Sequence, residues 1–406
     1  VLVDDVNEEF IGYDSLDAAV KLTRYRKVTS KKDGEMYQLV LNLTPFYPEG
    51  GGQVGDKGFL EDIDGALVEI LDTKKENNLI IHFTKKLPKH LNERFKAVVN
   101  EKQRHKTECN HTATHLLHQA LREVLGTHVA QKGSAVHSKN LRFDFSHFSK
   151  LTVAELHEVE NLVNARISGK IPLIEKRNIP MQQAIDEGAI ALFGEKYSED
   201  VRVVSMGDFS LELCGGTHVN RTGDIGLFKI VSESGIAAGV RRIEAVTGAK
   251  ALDVVQTQGQ QISQIASLLK TDPQGLHARI MYVLEQSKIV EKELEKLKSK
   301  LASNTTTDVL SEVNEIKGIK VLSTVLQGIE AKALRSMVDD FKNQLGSAVI
   351  VLGIAEKNKV SLIVGVTNDL VSKVKAGELV NYVAQQVGGK GGGRPDMAQA
   401  GGSEPQ

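Results

Sequence analysis

The sequence predicts an α+β multidomain chain, and three patterns predict it. Short runs of alternating apolar and polar residues, parted by Asp-Gly and Gly-rich turns, fill residues 1–95. Helical periodicity interleaved with strand-like runs fills residues 96–247. A heptad-spaced apolar track then gives way to alternating strand and helix patterns. Period two marks strands, whereas recurrence at three and four residues marks helices. At 406 residues the chain can bury several cores, and a net charge of −1 excludes a bulk attraction to nucleic acid. Any nucleic-acid surface must therefore be a local patch. No apolar run reaches bilayer length, and no signal peptide is recognisable. Cys109 and Cys214 are the only cysteines, which excludes a disulfide framework and fits a reducing, cytoplasmic setting. The chain opens on Val1 in the manner of mid-domain sequence, so a piece of a longer or processed protein is expected.

Taken in order, residues 1–95 read as a small β-barrel or sandwich, with Tyr37–Leu41 and Leu79–Phe83 as strands. Within them Thr44–Asp56 is too glycine-dense for a strand and too patterned for a linker. Residues 96–247 read as an α+β domain. Its first helix, from about Arg94 to Leu125, ends at Gly126. A capping box at Thr152–Glu155 opens a second helix that stops near Gly169, and Pro180 suits the first turn of a short one. Strands follow at 142–145, 201–204, 209–213, 226–232 and 240–246. Residues 248–305 read as a helical, coiled-coil-like connector, with Ile280, Val283, Ser287, Val290, Leu294, Leu297 and Leu301 on the a/d track and a break at Asn304–Thr307. Residues 306–406 alternate strand, helix, strand, strand, helix, and close on a Gly-rich loop around 388–402, a small α/β domain.

Two half-sites carry the chemistry. His111 and His115 are four apart on a predicted helix, so both side chains leave one face. Cys214-Gly215-Gly216-Thr217-His218 brings a thiol and an imidazole together on a flexible turn. Alone, either pair is more often an ordinary core or surface feature. Together they make the N/S donor set that suits one tetrahedral Zn2+. His118, one turn past His115, is a weaker competitor as ligand, and Cys109 reads as a small buried residue. The tract at 388–393 is no P-loop, because Gly rather than Ser or Thr follows Lys390. Its blandest reading is a floppy tail, but successive glycine N–H groups beside Lys390 and Arg394 suit a phosphate.

The same residues resemble one family. The two half-sites, with Ala191–Tyr197 and Val201–Val204, are similar to the editing domain of alanyl- and threonyl-tRNA synthetases. Thr44–Gln53 looks like the glycine-rich loop of the barrel that precedes that domain in alanyl enzymes, and the tract ending 394–402 resembles their C-terminal module, shared with DHH phosphoesterases. The order holds from about Phe10 to Gly402. Threonyl enzymes place editing ahead of their catalytic core and lack the C-terminal module. No class II activating motifs are recognisable, so the resemblance implies the editing and C-terminal parts of a bacterial-type enzyme without its aminoacylation domain.

The resemblance implies hydrolysis of serine or glycine from the 3′ adenosine ester of mischarged tRNA(Ala), with zinc in the active site held by His111, His115, Cys214 and His218. Serine exceeds alanine by one hydroxyl, and a site that hydrogen-bonds it rejects the analogue that lacks it. Thr44 and Gln131 are the candidates for that contact. Lys390 and Arg394 are expected on tRNA phosphates, with Arg241 and Arg242 toward the acceptor end. The implied partners are tRNA(Ala), the aminoacylation domain of the full-length protein and a second copy through the helical connector. The alternatives are a non-catalytic tRNA-binding module with structural zinc, a free-standing deacylase, and, least favoured for want of its Asp-His-His cluster, a DHH phosphoesterase.

Overall fold

In a computed structural model, the protein is described over residues 8–30, 34–191, 198–327, 329, 331–356 and 359–404, the side chains of 30, 298–308 and 356 excepted. The chain divides into two units, Val1–Ile262 and Ser263–Gln406.

Alternating burial organises the start of the first unit. Seven antiparallel strands run in the order 67–70, 58–61, 94–99, 17–30, 34–41, 79–84, 72–76. The long strand Asp17–Ser30 serves both halves: residues 17–21 pair with 94–98, and residues 22–30 with 34–41. A register shift between Leu22 and Arg24 bends it. Val20, Leu22, Leu39, Leu41, Leu60, Ile70, Phe95 and Ala97 all face one core, as period two requires. The outer strands 67–70 and 72–76 do not pair with each other among the described residues. The pairing among the described residues thus gives an open strand order, which does not confirm the small barrel or sandwich expected. The outer strands are consecutive in sequence, and 72–76 turns back onto 79–84.

Residues 94–99, expected to begin the first helix, form a strand, because Phe95, Ala97 and Val99 are buried at period two. The helix α1 (Glu101–Leu125) starts after Asn100, whose side chain accepts the Gln103 N–H at 3.1 Å. Gly126, at φ 111°, ends it as expected. Every residue of α1 from Cys109 to His118 is buried. It packs with α2 (Val153–Ser168) against a four-stranded antiparallel sheet ordered 131–136, 141–146, 240–247, 228–237. Ala113, Leu117, Leu121, Phe143, Phe145, Val163 and Ile243 form that core, each large side chain contributing roughly 1.5–3 kcal/mol. The predicted capping box is present: Thr152 Oγ1 accepts from Glu155 N, and Glu155 Oε2 accepts from Thr152 N. A second sheet, 173–180, 200–206 and 210–213, carries the short helix α3 (Met181–Asp186) behind Pro180. Of the motif Ala191–Tyr197, residues 192–197 lie outside the described residues.

The helix α4 (Gly248–Leu268) follows. In the second unit α5 (Leu276–Val309) runs without the break expected at Asn304–Thr307; Thr and Asn cost a helix only tenths of a kcal/mol each, roughly, and no Gly or Pro intervenes. Ile280, Val283, Val290, Leu294 and Leu297 are exposed along it. A six-stranded sheet follows, ordered 314–316, 319–326, 348–356, 359–366, 397–402, 390–394. Its one parallel pair, 319–326 with 348–356, is bridged by α6 (Leu334–Leu345). α6 packs on Ile350 and Leu352, while α7 (Ala376–Gln386) packs with Val349 and Val364, so the two helices cover opposite faces. The C-terminal glycine tract, expected as a loop, is the edge hairpin 390–394/397–402. Glycine is what lets it lie flat: a Cβ at Gly391 would stand 2.3 Å from that of Ala400. No helix is long and apolar enough to cross a membrane among the described residues.

Candidate metal centre and its cavity

α1 sets His111 and His115 one turn apart with their rings stacked, centroids 5.2 Å apart. The strand 210–213 delivers Cys214, and the turn Gly215–Gly216 returns the chain to His218. Arg202 fixes that turn by donating to Cys214 O at 3.0 Å and Gly216 O at 2.7 Å. Tyr13 donates its hydroxyl to Gly215 O at 2.6 Å under the Arg202 guanidinium. Gly216 has no substitute, since a Cβ there would lie 2.0 Å from His111 Cε1.

One ligand atom from each of His111, His115, Cys214 and His218 falls within 4.8 Å of the others. Cys214 Sγ is 3.5 Å from His111 Nε2 and 3.3 Å from His218 Nε2. Tetrahedral zinc with bonds of ~2.0–2.3 Å holds its ligands about 3.5 Å from one another. The donor set and its spacing therefore fit zinc.

The other ring nitrogens each stand beside a polar or charged side chain. His111 Nδ1 is 2.7 Å from Gln53 Oε1, His115 Nδ1 is 2.7 Å from Glu212 Oε2, and His218 Nδ1 is 3.1 Å from Thr112 Oγ1. Such partners orient the ring and leave Nε2 for a metal. Gln53 is itself held, accepting from Thr217 N at 3.0 Å and donating to Thr217 Oγ1 at 2.9 Å. It reaches the centre because the loop turns tightly at Gly51 and Gly52, both at positive φ, and docks on strand 131–136 through Val136 N–H to Gly52 O.

Electrostatics follow the donor set. Burial opposes the Cys214 thiolate, but the facing imidazoles of His111, His218 and His115 overcome it and pull the thiol well below its usual range. Burial pushes His218 down to about 3, keeping it neutral. Burial also opposes charge on His115, yet Glu212 and Cys214 raise it well above the ordinary imidazole value. Glu212, whose burial alone would raise it, is held down by His115 and His118 to about 2. The thiolate and the ionised carboxylate behind a histidine are states a metal site uses, and a metal bound there would displace the proton that Glu212 and Cys214 hold on His115.

A cavity of about 400 Å³ is lined by His111, His115 and Cys214 together with Gly50, Gly51, Gln131, Ser134 and Glu212. Gln131 is thus brought to the centre, its Nε2 3.4 Å from Ser134 Oγ. Thr44 is not: its hydroxyl contacts His82 Nε2 at 2.7 Å and accepts from Phe46 N at 3.1 Å, inside the N-terminal sheet. His118 contacts Glu212 Oε1 at 3.1 Å and stands outside the ligand set. Arg241 is paired with Glu233, and Arg242 with both oxygens of Asp144 at 2.6 and 2.8 Å. Neither arginine lines the cavity. Lys390 and Arg394 are exposed in the second unit, Arg394 beside Asp396 at 3.3 Å. Gln53, Thr112, Ser134 and Glu212 carried no role in the sequence. Glu212 had a local signal, since on an extended strand it shares a face with Cys214.

The comparisons with known proteins agree along the chain. Residues 201–244 match the family described as "Threonyl and Alanyl tRNA synthetase second additional domain". Residues 318–406 match the DHHA1 domain, and residues 2–103 match "tRNA synthetases class II (A)", a class II description falling on the N-terminal sheet. An alanine–tRNA ligase of Shewanella loihica is 53% identical over 408 residues, covering 99% of this chain and 46% of that protein. One from Colwellia psychrerythraea is 51% identical over 412 residues, covering 100% and 47%. The chain spans about half the length of the curated relatives it matches. A solved structure, the C-Ala domain from Aquifex aeolicus alanyl-tRNA synthetase, is 26% identical with a TM-score of 0.23, covering 23% of this chain and 85% of that one.

Proposed function

We propose that this chain, which belongs to the alanyl-tRNA synthetase family, hydrolyses the ester of tRNA(Ala) mischarged with serine or glycine and spares alanine. One observation carries the reading. Three oriented histidines and a cysteine meet at zinc spacing, and three of the four, His111, His115 and Cys214, line a cavity rather than a sealed core. His111, His115, Cys214 and His218 would hold the metal, which supplies Lewis-acid polarisation there. Gln53, Thr112 and Glu212 keep the imidazoles in register. Gln131 and Ser134 offer polar groups to a seryl hydroxyl, and alanine would leave them without that partner. For glycine, which has no side chain to recognise, the shape set by Gly50 and Gly51 is the remaining lever.

In the second unit Lys390 and Arg394 are suited to tRNA phosphates, giving affinity with little sequence readout. The aminoacylation domain of the full-length protein is the further partner, a homodimer would use the exposed face of α5, and the two free cysteines suit a reducing cytoplasm. The test is hydrolysis of Ser-tRNA(Ala) against Ala-tRNA(Ala) by the chain and by its Cys214→Ala variant. A second reading is favoured by the ligand count itself: four protein ligands are the mark of a structural zinc. A chain that binds tRNA(Ala) and zinc yet hydrolyses neither ester is a binding module.

A further inference from the structure

A second cluster of ligand-type side chains lies away from the metal centre, on the N-terminal sheet. The turn after strand 58–61 carries Asp62 and Asp64, and the segment before strand 94–99 carries His90. One carboxylate oxygen of each aspartate and one ring nitrogen of His90 fall within 4.8 Å of one another. His90 Nε2 is 2.9 Å from Asp64 Oδ2. Neighbouring ligands of an octahedral ion with ~2.1 Å bonds stand about 3.0 Å apart, so this pair is already at ligand spacing.

Asp62 adds an independent observation. It is 5% exposed, and its Oδ2 is buried with no hydrogen-bond partner among the described residues. A buried carboxylate oxygen without a partner is costly, and a cation supplies what it lacks. The turn holds this side chain still: Asp62 N donates to Ala66 O at 2.9 Å, Gly65 N to Asp62 O at 2.9 Å, and Asp64 N to Asp62 Oδ1 at 3.4 Å. The Asp64 and His90 side chains are partly exposed, which leaves room for water to complete the shell. An imidazole beside two carboxylates suits Mn2+, Co2+, Ni2+ or Zn2+ better than Mg2+ or Ca2+.

We propose that Asp62, Asp64 and His90 form a second divalent-cation site that clips the turn at 62–66 to the segment preceding strand 94–99. The site is independent of the editing reaction. The full chain, stripped by a chelator, is titrated with Co2+, whose thiolate charge-transfer absorption reports Cys214 and whose weaker bands report oxygen and nitrogen ligands. The wild-type chain takes up two equivalents, and only the first brings the thiolate absorption. His90→Ala and Asp64→Asn each lose the second equivalent and keep the first. Retained thiolate absorption shows that a variant is folded, and if one variant fails to fold the other decides. Saturation of the wild type at one equivalent, or a second equivalent kept by a folded variant, overturns the proposal.

Discussion

The candidate metal centre and the C-terminal hairpin are both built around glycine, but they differ in what they expose. At the centre, Gly51 and Gly52 turn the backbone sharply so that Gln53 can reach His111, and Gly216 makes room for that ring. All four ligands are buried or nearly so, and each histidine has a partner. In the hairpin, Gly391 lets two strands lie close, and the charged ends Lys390 and Arg394 stay in solvent. A site of mutually dependent buried groups fails as a unit when one is removed. A site of separate exposed cations weakens in steps and answers to salt. The two regions should therefore break differently.

The largest effect is expected from Cys214→Ala. It should abolish serine removal while leaving tRNA affinity near that of the parent chain, as read by deacylation and by filter binding. Next, Gly216→Ala drives a Cβ into the His111 ring and should lower zinc affinity by about 100-fold or more, measured by chelator competition. Gln53→Ala leaves all four ligands in place but frees His111 and Thr217. Its expected cost is about 10–100-fold in metal affinity or activity. The smallest single effects belong to the hairpin. Lys390→Ala and Arg394→Ala should each weaken tRNA binding and lower the magnitude of its salt slope by about 0.7–0.9, with zinc content unchanged. A hairpin variant that lost zinc, or a Cys214 variant that lost tRNA affinity in step with hydrolysis, would erase the contrast.

Legibility in the sequence follows contact range. His111 with His115, and Cys214 with His218, were readable because each pair lies within five residues, where helix or turn geometry fixes the separation. Gln53 was not, because His111 lies 58 residues away and the contact depends on how a loop docks on a sheet, and for Glu212 only the face shared with Cys214 was local, its contact with His118 spanning 94 residues. Thr44 shows the converse error. It adjoins the right loop in sequence, but its hydroxyl turns inward to His82. Arg241 and Arg242 sit on the strand expected, yet cross-strand carboxylates that no local pattern announces hold both of them. The strands and helices of both units were largely visible as period. The exceptions were at boundaries and in the glycine tract, where composition gives no clue whether strands can approach: Gly391 in a loop and Gly391 beside Ala400 read alike.

The contrast rests on the buried ligand set serving hydrolysis at the cavity. The most direct measurement is the rate of ester cleavage on Ser-tRNA(Ala) and Ala-tRNA(Ala), with zinc quantified in the same sample. Release of serine at a rate far above that of alanine, with one zinc per chain and loss of both zinc and serine release in Cys214→Ala, is the result predicted here. Full serine release by a zinc-free Cys214→Ala chain, or equal cleavage of the two esters, would contradict it.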